Sequence, residues 1–306
     1  MRKTSLDGVL DLARRDPRVV FIGSDLGAGT LAEFKREMPE RFFMEGVAEQ
    51  HIIGMAAGLA MDGFVPYVNT IATFLTRRCL EQVAVDLCLH NLPVRLIANG
   101  GGVVYAPLGP THLAIEDIAL LRALPNMSIF APCDAAEMSR LIPATLDLPG
   151  PAYIRLAKGG DPVVSDATHG FAIGKAILMR PPGRMLLVST GIMTQRALAL
   201  AEEFDAGVLH VHTLKPLDGD AIRRLAGEVE LVATLEEHTL IGGLGAAVAS
   251  LLLSDPPARM PRLLQFGLPD SFPAVYGGQD DILAAAGLDV PSLAGRLRAA
   301  RGGGHG

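Results

Sequence analysis

Within the stretch Glu45–Ala60 one carboxylate, Glu49, stands at the head of a predicted helix that is otherwise mostly apolar and built of small residues. Gly54, Ala56, Ala57 and Gly58 would let another backbone or a ligand approach closely. An acid buried there without a hydrogen-bond partner would cost several kcal/mol. Two readings follow. Either the carboxylate caps a helix start, where the macrodipole favours negative charge, or something bound there hydrogen-bonds it.

Three other stretches carry residue types that could share such chemistry. Gly23-Ser24-Asp25-Leu26-Gly27 follows the first predicted strand, and loops at the carboxyl ends of parallel strands are where ligands bind. Asp25 would equally serve an ordinary strand-to-helix turn as a cap. Thr70–Arg78 places Phe74, Arg77 and Arg78 just past a strand end; the ring could be core and the arginines a solvated face. The glycine-dense run from Asn99 to His112 is too flexible for regular structure and ends in a histidine, an acid–base or hydrogen-bonding candidate unless it is structural. Weaker signals lie further on. Gly242-Gly243-Leu244-Gly245 opens a helix and could offer amides to an anion, although close helix packing explains it as well. His210 and His212 alternate along a strand-like run and so share a face, which does not by itself make a metal site.

These residues need a scaffold, and the apolar pattern supplies one. Strands are predicted at Val19–Ile22, Val94–Ala98, Ser128–Ala131 and Tyr153–Leu156, with helices near Leu31–Met38, Glu49–Met61, Leu75–His90, Ile115–Leu124 and Ala135–Leu146. Asp134 and Glu137 stand at capping-pair spacing. A second series has strands at Met185–Ser189, Gly207–Val211, Leu231–Leu235 and Leu263–Phe266, and helices near Thr194–Phe204, Gly219–Ala226 and Gly245–Leu253. Alternation of this kind predicts an α/β protein of two doubly wound domains. Turn residues in Lys158–Thr168 put the boundary near residue 165, giving domains 1–165 and 166–306, with a frayed tail at Arg301–Gly306.

Composition narrows the function. The 306 residues, 49% hydrophobic and 20% charged, suit about two folded domains. A net charge of −6, no Trp and 4 Tyr speak against nucleic-acid binding. No apolar run reaches the about 18 residues of a membrane span, and the first residues lack a secretory core, so a cytoplasmic protein is expected. Cys79, Cys88 and Cys133 are odd in number with no Cys-x-x-Cys pair, and carboxylates do not cluster at ligand spacing, so this chain is expected to hold no metal of its own. There is no phosphate-loop motif and no Gly-x-Gly-x-x-Gly after the first strand.

Taken in order, the pieces resemble the C-terminal half of the transketolase family of thiamine diphosphate enzymes, from roughly Ile22 to Phe266. The markers are Gly-Ser-Asp-Leu at 23–26, Ala-Glu-Gln-His at 48–51, Thr-Phe-Leu at 73–75, Gly-Pro-Thr-His at 109–112 and Arg-Ala-Leu-Pro-Asn-Met at 122–127. Leu-Lys-Pro-Leu-Asp at 214–218, Glu-Glu-His at 236–238 and Gly-Gly-Leu-Gly at 242–245 follow. The resemblance implies a pyrimidine-binding domain with a mainly parallel sheet and a C-terminal domain with a smaller mixed sheet. It gives Glu49 the role of hydrogen-bonding N1′ of the aminopyrimidine, promoting the tautomer that deprotonates the thiazolium carbon. Phe74 would pack on the pyrimidine, Asp25 and Leu26 would support the cofactor, and Arg77 would stand among the cofactor-binding residues. His112 would face substrate hydroxyls.

The departures are informative. Leu108 stands where transketolases carry an Asp that reads a donor hydroxyl, which puts an ordinary sugar-phosphate donor in doubt. Lys158 stands near the place of a phosphate-binding Arg and would hold phosphate as a point charge. The Gly-Asp-Gly motif and Asn pair that hold Mg2+ and the diphosphate do not occur, and the chain starts where a pyrimidine-binding domain should start. The resemblance therefore implies the C-terminal subunit of a split transketolase. An N-terminal partner subunit would supply the diphosphate and magnesium site, and a heterotetramer would transfer a two-carbon ketol unit between sugars or sugar phosphates. Alternatives in the same superfamily are a deoxyxylulose-phosphate-synthase-like subunit and a 2-oxo acid dehydrogenase beta-type subunit. A cofactor-free scaffold or regulatory module is the non-enzyme alternative.

Overall fold

The computed structural model describes residues 1–24, 31–157 and 159–302, which form two sheets flanked by helices. The first sheet contains β1 (Val19–Gly23), β2 (Phe42–Met44), β3 (Val65–Ile71), β4 (Arg95–Asn99), β5 (Ser128–Phe130) and β6 (Ala152–Leu156). The second contains β7 (Ile177–Arg180), β8 (Met185–Ser189), β9 (Ala206–His210), β11 (Leu231–Thr239) and β12 (Arg262–Leu268); between them in sequence, β10 (Thr213–Lys215) crosses back to the first sheet. The orders are β10-β5-β6-β4-β3-β1-β2 and β12-β11-β8-β9-β7. Every pairing is parallel except β10 with β5 and β7 with β9.

The central parallel strands are buried along their length because helices cover both faces, so β1 and β8 read as unbroken apolar runs, whereas the edge strands β2 and β12 are only partly buried. Four strands, β2, β3, β7 and β10, are not legible in that pattern. Pro66, Asn69 and Thr70 interrupt the apolar run of β3, although it lies centrally between β1 and β4. Its polar residues are satisfied across the sheet: Asn99 Nδ2 donates to Asn69 Oδ1 at 2.8 Å and to the Thr70 carbonyl at 2.9 Å. β2 has only three residues.

Helix Glu49–Met61 forms as expected, burying Ile52, Ile53, Ala56, Ala57 and Ala60. Gly54 and Gly58 lie on its outer face, and nothing within 4 Å would meet a Cβ at either position. The long helix expected over Leu75–His90 is instead broken into Ala72–Thr76, Leu80–Gln82 and a π-helical stretch, Val83–Leu89. The Thr76 hydroxyl bonds back to the Ala72 carbonyl at 2.9 Å, a local alternative to helix propagation. The result is a turn at 77–79 that frees two arginine side chains. Helices Arg2–Arg15, Gln279–Ala285 and Val290–Gly302 add to those predicted, and residues 303–306 of the tail expected to fray lie outside the described residues.

One apolar cluster spans the two sheets, each sheet has a second cluster of its own, and a buried polar junction joins them. Ile22, Val68 and Leu96 of the first sheet belong to the same apolar cluster as Leu186, Val188 and Val232 of the second. Asp134 accepts the Glu137 amide at 2.8 Å, as the capping spacing predicts, and its other oxygen takes the Val164 and Ser165 amides of the segment joining the domains. Glu137 Oε2 accepts the Cys133 amide at 2.7 Å and lies 2.8 Å from His210 Nε2 across the junction. Burial opposes ionisation of Glu137, but His210, His212 and the Cys133 amide together outweigh it and hold the carboxyl down at about 2. Nearby, burial draws the His212 imidazole down to about 4. Asp117, from the first domain, receives the Tyr153 hydroxyl at 2.7 Å and Arg155 Nε at 2.8 Å, and the same arginine reaches the Glu237 carbonyl at 2.8 Å. No described helix is long and apolar enough to cross a membrane.

Candidate active site

Glu49, Phe74, Arg78 and His112 come together although they arise from three separate segments. Glu49 is the first residue of helix Glu49–Met61 and is 2% exposed. Phe74, half-buried, sits on the short helix that follows β3. His112 ends the glycine-rich loop after β4, with its ring 5.3 Å from the Phe74 ring at an interplanar angle of 68°. The Thr111 hydroxyl lies 2.9 Å from His112 Nδ1 and fixes the ring's orientation.

The sequence offers Arg78 as part of a solvated face, and the structure gives it a different place. Its Nη1 lies 2.5 Å from Glu49 Oε2, and its guanidinium carbon lies 4.1 Å from the centre of the Phe74 ring. One planar cation thus pairs the buried acid and stacks on the aromatic at once. The signal in the sequence is only an arginine one turn after Phe74, indistinguishable there from its neighbour. Arg77, expected among the cofactor-binding residues, points elsewhere: it is engaged by the Glu116 carboxylate and the Leu113 carbonyl, and it approaches the Pro110 carbonyl at 3.5 Å. Its position makes it a clamp on the loop that carries His112, and the cation beside Glu49 is Arg78.

The glycine-rich loop is built by close approach. Gly102 has φ +66°, and a Cβ there would lie 2.4 Å from Glu237 Cδ, so only glycine fits. Glu237 Oε1 in turn accepts the Val103 amide at 2.9 Å and Gln279 Nε2 at 2.8 Å, tying the loop to the second domain. Leu108 stands at the tip of the loop, 55% exposed. Thr73 Oγ1 is buried without a hydrogen-bond partner among the described residues, beside Phe74. Asp25, Leu26 and Lys158, expected at the cofactor and phosphate ends, lie outside the described residues.

The weaker signals find structural partners. The amides of Leu244 and Gly245 at the glycine-rich helix start are taken by Glu236, at 2.6 and 2.8 Å, so the anion there is internal. Burial pushes the Glu236 carboxyl up to about 7 despite those amides. His210 and His212 do lie close, with ring centres 6.0 Å apart. Cys133, Glu137 and His210 form the single group of three possible ligands among the described residues, and its Glu137–His210 pair is hydrogen-bonded.

Comparison with known proteins agrees with this architecture. The pattern of the transketolase pyrimidine-binding domain matches residues 1–160, and that of the transketolase C-terminal domain matches residues 174–293. The chain is 38% identical over 300 residues to an apulose-4-phosphate transketolase subunit of Phocaeicola vulgatus, covering 95% of this chain and 94% of that one. It is 38% identical over 292 residues to the 1-deoxy-D-xylulose-5-phosphate synthase of Thioalkalivibrio sulfidiphilus, covering 94% of this chain but only 45% of that enzyme. Among solved structures, a split-gene transketolase described as an inactive beta4 tetramer superposes with a TM-score of 0.86 at 32% identity, covering 97% of this chain and 96% of that one. With both domain patterns in sequence order and a relative matched over nearly its full length, the chain belongs to the transketolase family.

Proposed function

We propose that this chain is the C-terminal subunit of a split transketolase, active in the cytoplasm only with an N-terminal partner. The observation that carries the reading is the junction of a buried acid, Glu49, with a half-buried ring, Phe74, and a loop histidine, His112. The residues present fit an aminopyrimidine. Glu49 already accepts an N–H from a planar group that stacks on Phe74, and the Thr73 hydroxyl beside it has no partner among the described residues.

Thiamine diphosphate, when bound, supplies the carbanion chemistry of ketol transfer. This chain's residues supply the rest. Glu49 holds a proton between its carboxyl and the pyrimidine nitrogen, shielded from bulk water by its burial. Phe74 fixes the plane of that ring. His112, braced by Thr111, hydrogen-bonds or passes a proton to a substrate hydroxyl. Arg77 positions His112 by holding the Leu113 carbonyl. Mg2+ and the diphosphate fall to the partner, and a dimer of such pairs gives a heterotetramer. Homology over nearly the full length of a protein named as a transketolase subunit favours this reading over a synthase more than twice the length of this chain.

The test is ketol transfer by this chain reconstituted with the partner subunit, in wild-type and Glu49→Gln forms. Wild-type turnover that falls to near background in the variant, with the fold intact by circular dichroism, supports the assignment. Near-normal rates in the variant refute it.

A further inference from the structure

The cation beside Glu49 does more than neutralise it. A guanidinium is planar, carries N–H donors in its plane and stacks on aromatic faces, which are also the recognition features of an aminopyrimidine. The Arg78 guanidinium makes both contacts at once, an N–H 2.5 Å from Glu49 Oε2 and a face 4.1 Å from the Phe74 centroid. A ring that stacks on Phe74 and donates to Glu49 from the same side must stand where that guanidinium stands. We propose that Arg78 is a built-in placeholder that fills the pyrimidine subsite of the free chain and swings out when the cofactor enters, an inference that rests on the functional reading above.

Neighbouring residues fit a side chain able to leave. Arg78 lies in the turn 77–79 between two short helices, not within a continuous helix, and its side chain is 41% exposed, leaving a route to water. Among the described residues its guanidinium has no polar partner besides Glu49. Gln50 Nε2 donates to the Arg78 carbonyl at 3.2 Å, so the backbone is held while the side chain is not. Arg77 is the contrast, pinned by a carboxylate and backbone carbonyls. Such an exchange keeps the buried acid paired both before and after binding, so neither state leaves an unpartnered charge. Its consequence is a lowered apparent affinity, because the subsite is open only in the fraction of molecules with Arg78 swung away.

The experiment has two ligands and two readouts. The full chain is titrated calorimetrically with 4-amino-5-hydroxymethyl-2-methylpyrimidine, and the chain with its partner subunit is titrated with thiamine diphosphate and Mg2+. Arg78→Ala should bind the pyrimidine about tenfold more tightly than wild type, the gain expected if the subsite is open about a tenth of the time. Arg78→Lys, which keeps a cation near Glu49 without a planar face, should fall between them. In the reconstituted wild type, the Arg78 Nε–H resonance should lose its shift from ring stacking on cofactor addition. If wild type with its partner binds thiamine diphosphate but Arg78→Ala binds the pyrimidine equally or more weakly, the placeholder is overturned while the functional reading stands. If no form binds either ligand, with or without the partner, both are overturned.

Discussion

Removing either member of the Glu49–Arg78 pair should have unequal effects on stability. Glu49 is 2% exposed, whereas the Arg78 side chain is 41% exposed. In Arg78→Ala the carboxylate cannot rehydrate, so it stays buried without its cation, and the contact with Phe74 is lost as well. Two unit charges at about 4 Å attract by about 4 kcal/mol at an effective dielectric near 20. Halving that for the arginine's exposure leaves a cost of about 2 kcal/mol. In Glu49→Gln the arginine simply turns to water and the neutral amide remains, so the cost should stay within about 1 kcal/mol. For a chain of this size each kcal/mol moves the melting temperature by about 2–4 °C, so Arg78→Ala should melt about 4–8 °C below wild type. The double variant should melt close to Glu49→Gln, since the arginine then has no buried charge to serve. Differential scanning calorimetry of the four proteins makes the measurement. A neutral Arg78→Ala, or a Glu49→Gln variant that falls as far, would refute the reasoning.

Three further outcomes follow from particular contacts. Arg77→Ala should release the Leu113 carbonyl and Glu116, displacing His112. In the reconstituted enzyme kcat/KM should drop about tenfold or more while thiamine diphosphate affinity stays unchanged, and an equal loss of affinity would return Arg77 to the cofactor site. Glu236 is an acid whose folded pKa, about 7, lies above its usual value, so the folded state binds the extra proton and stability falls as pH rises from about 4.5 to 7. Glu236→Gln should therefore gain relative to wild type across that window, by up to about 3 kcal/mol, in melts taken from pH 4.5 to 8; a flat difference would contradict the assignment. Leu108→Asp should improve turnover of common ketose phosphate donors, since the tip of the loop would regain a hydroxyl acceptor; an unchanged ratio of kcat/KM between donors would remove Leu108 from specificity.

Much of the fold can be read from residue patterns where a single physical cause dominates. β1 and β8 are legible as unbroken apolar runs because helices cover both faces of their sheets, and β4 and β6 are legible from the shorter apolar stretches around Leu96–Ala98 and Tyr153–Ile154. Helix Glu49–Met61 is legible because its buried face is apolar at helical spacing. β3 escapes such a reading because its polar residues are paired across strands, information that lies in Asn99, thirty residues away in sequence from Asn69. The break after Thr76 is equally hidden because it depends on a hydroxyl turning back onto the chain. β10 departs for a third reason, since its partner is an edge of the other domain's sheet.

The site is legible in its residue types and less so in its pairings. Glu49, Phe74 and His112 can be singled out as an acid, a ring and a loop histidine, and the structure brings them together. Which of two adjacent arginines serves the acid depends on a one-residue rotation about the broken helix. The Asp117–Arg155–Glu237 junction has no signature in the sequence because its members are scattered across both domains and none carries a local motif beyond Glu-Glu-His. Glu236 shows the converse: the glycine-rich helix start is visible as an anion site, but its anion lies on the preceding strand.

The most direct measurement is calorimetric titration of thiamine diphosphate with Mg2+ into this chain alone, and into this chain with its partner subunit. If the pyrimidine is held by Glu49 and Phe74 of this chain and the diphosphate and Mg2+ by the partner, as proposed, the pair should bind saturably and the chain alone should show no binding of comparable strength. Tight binding by the chain alone, or no binding by the pair, would contradict the account.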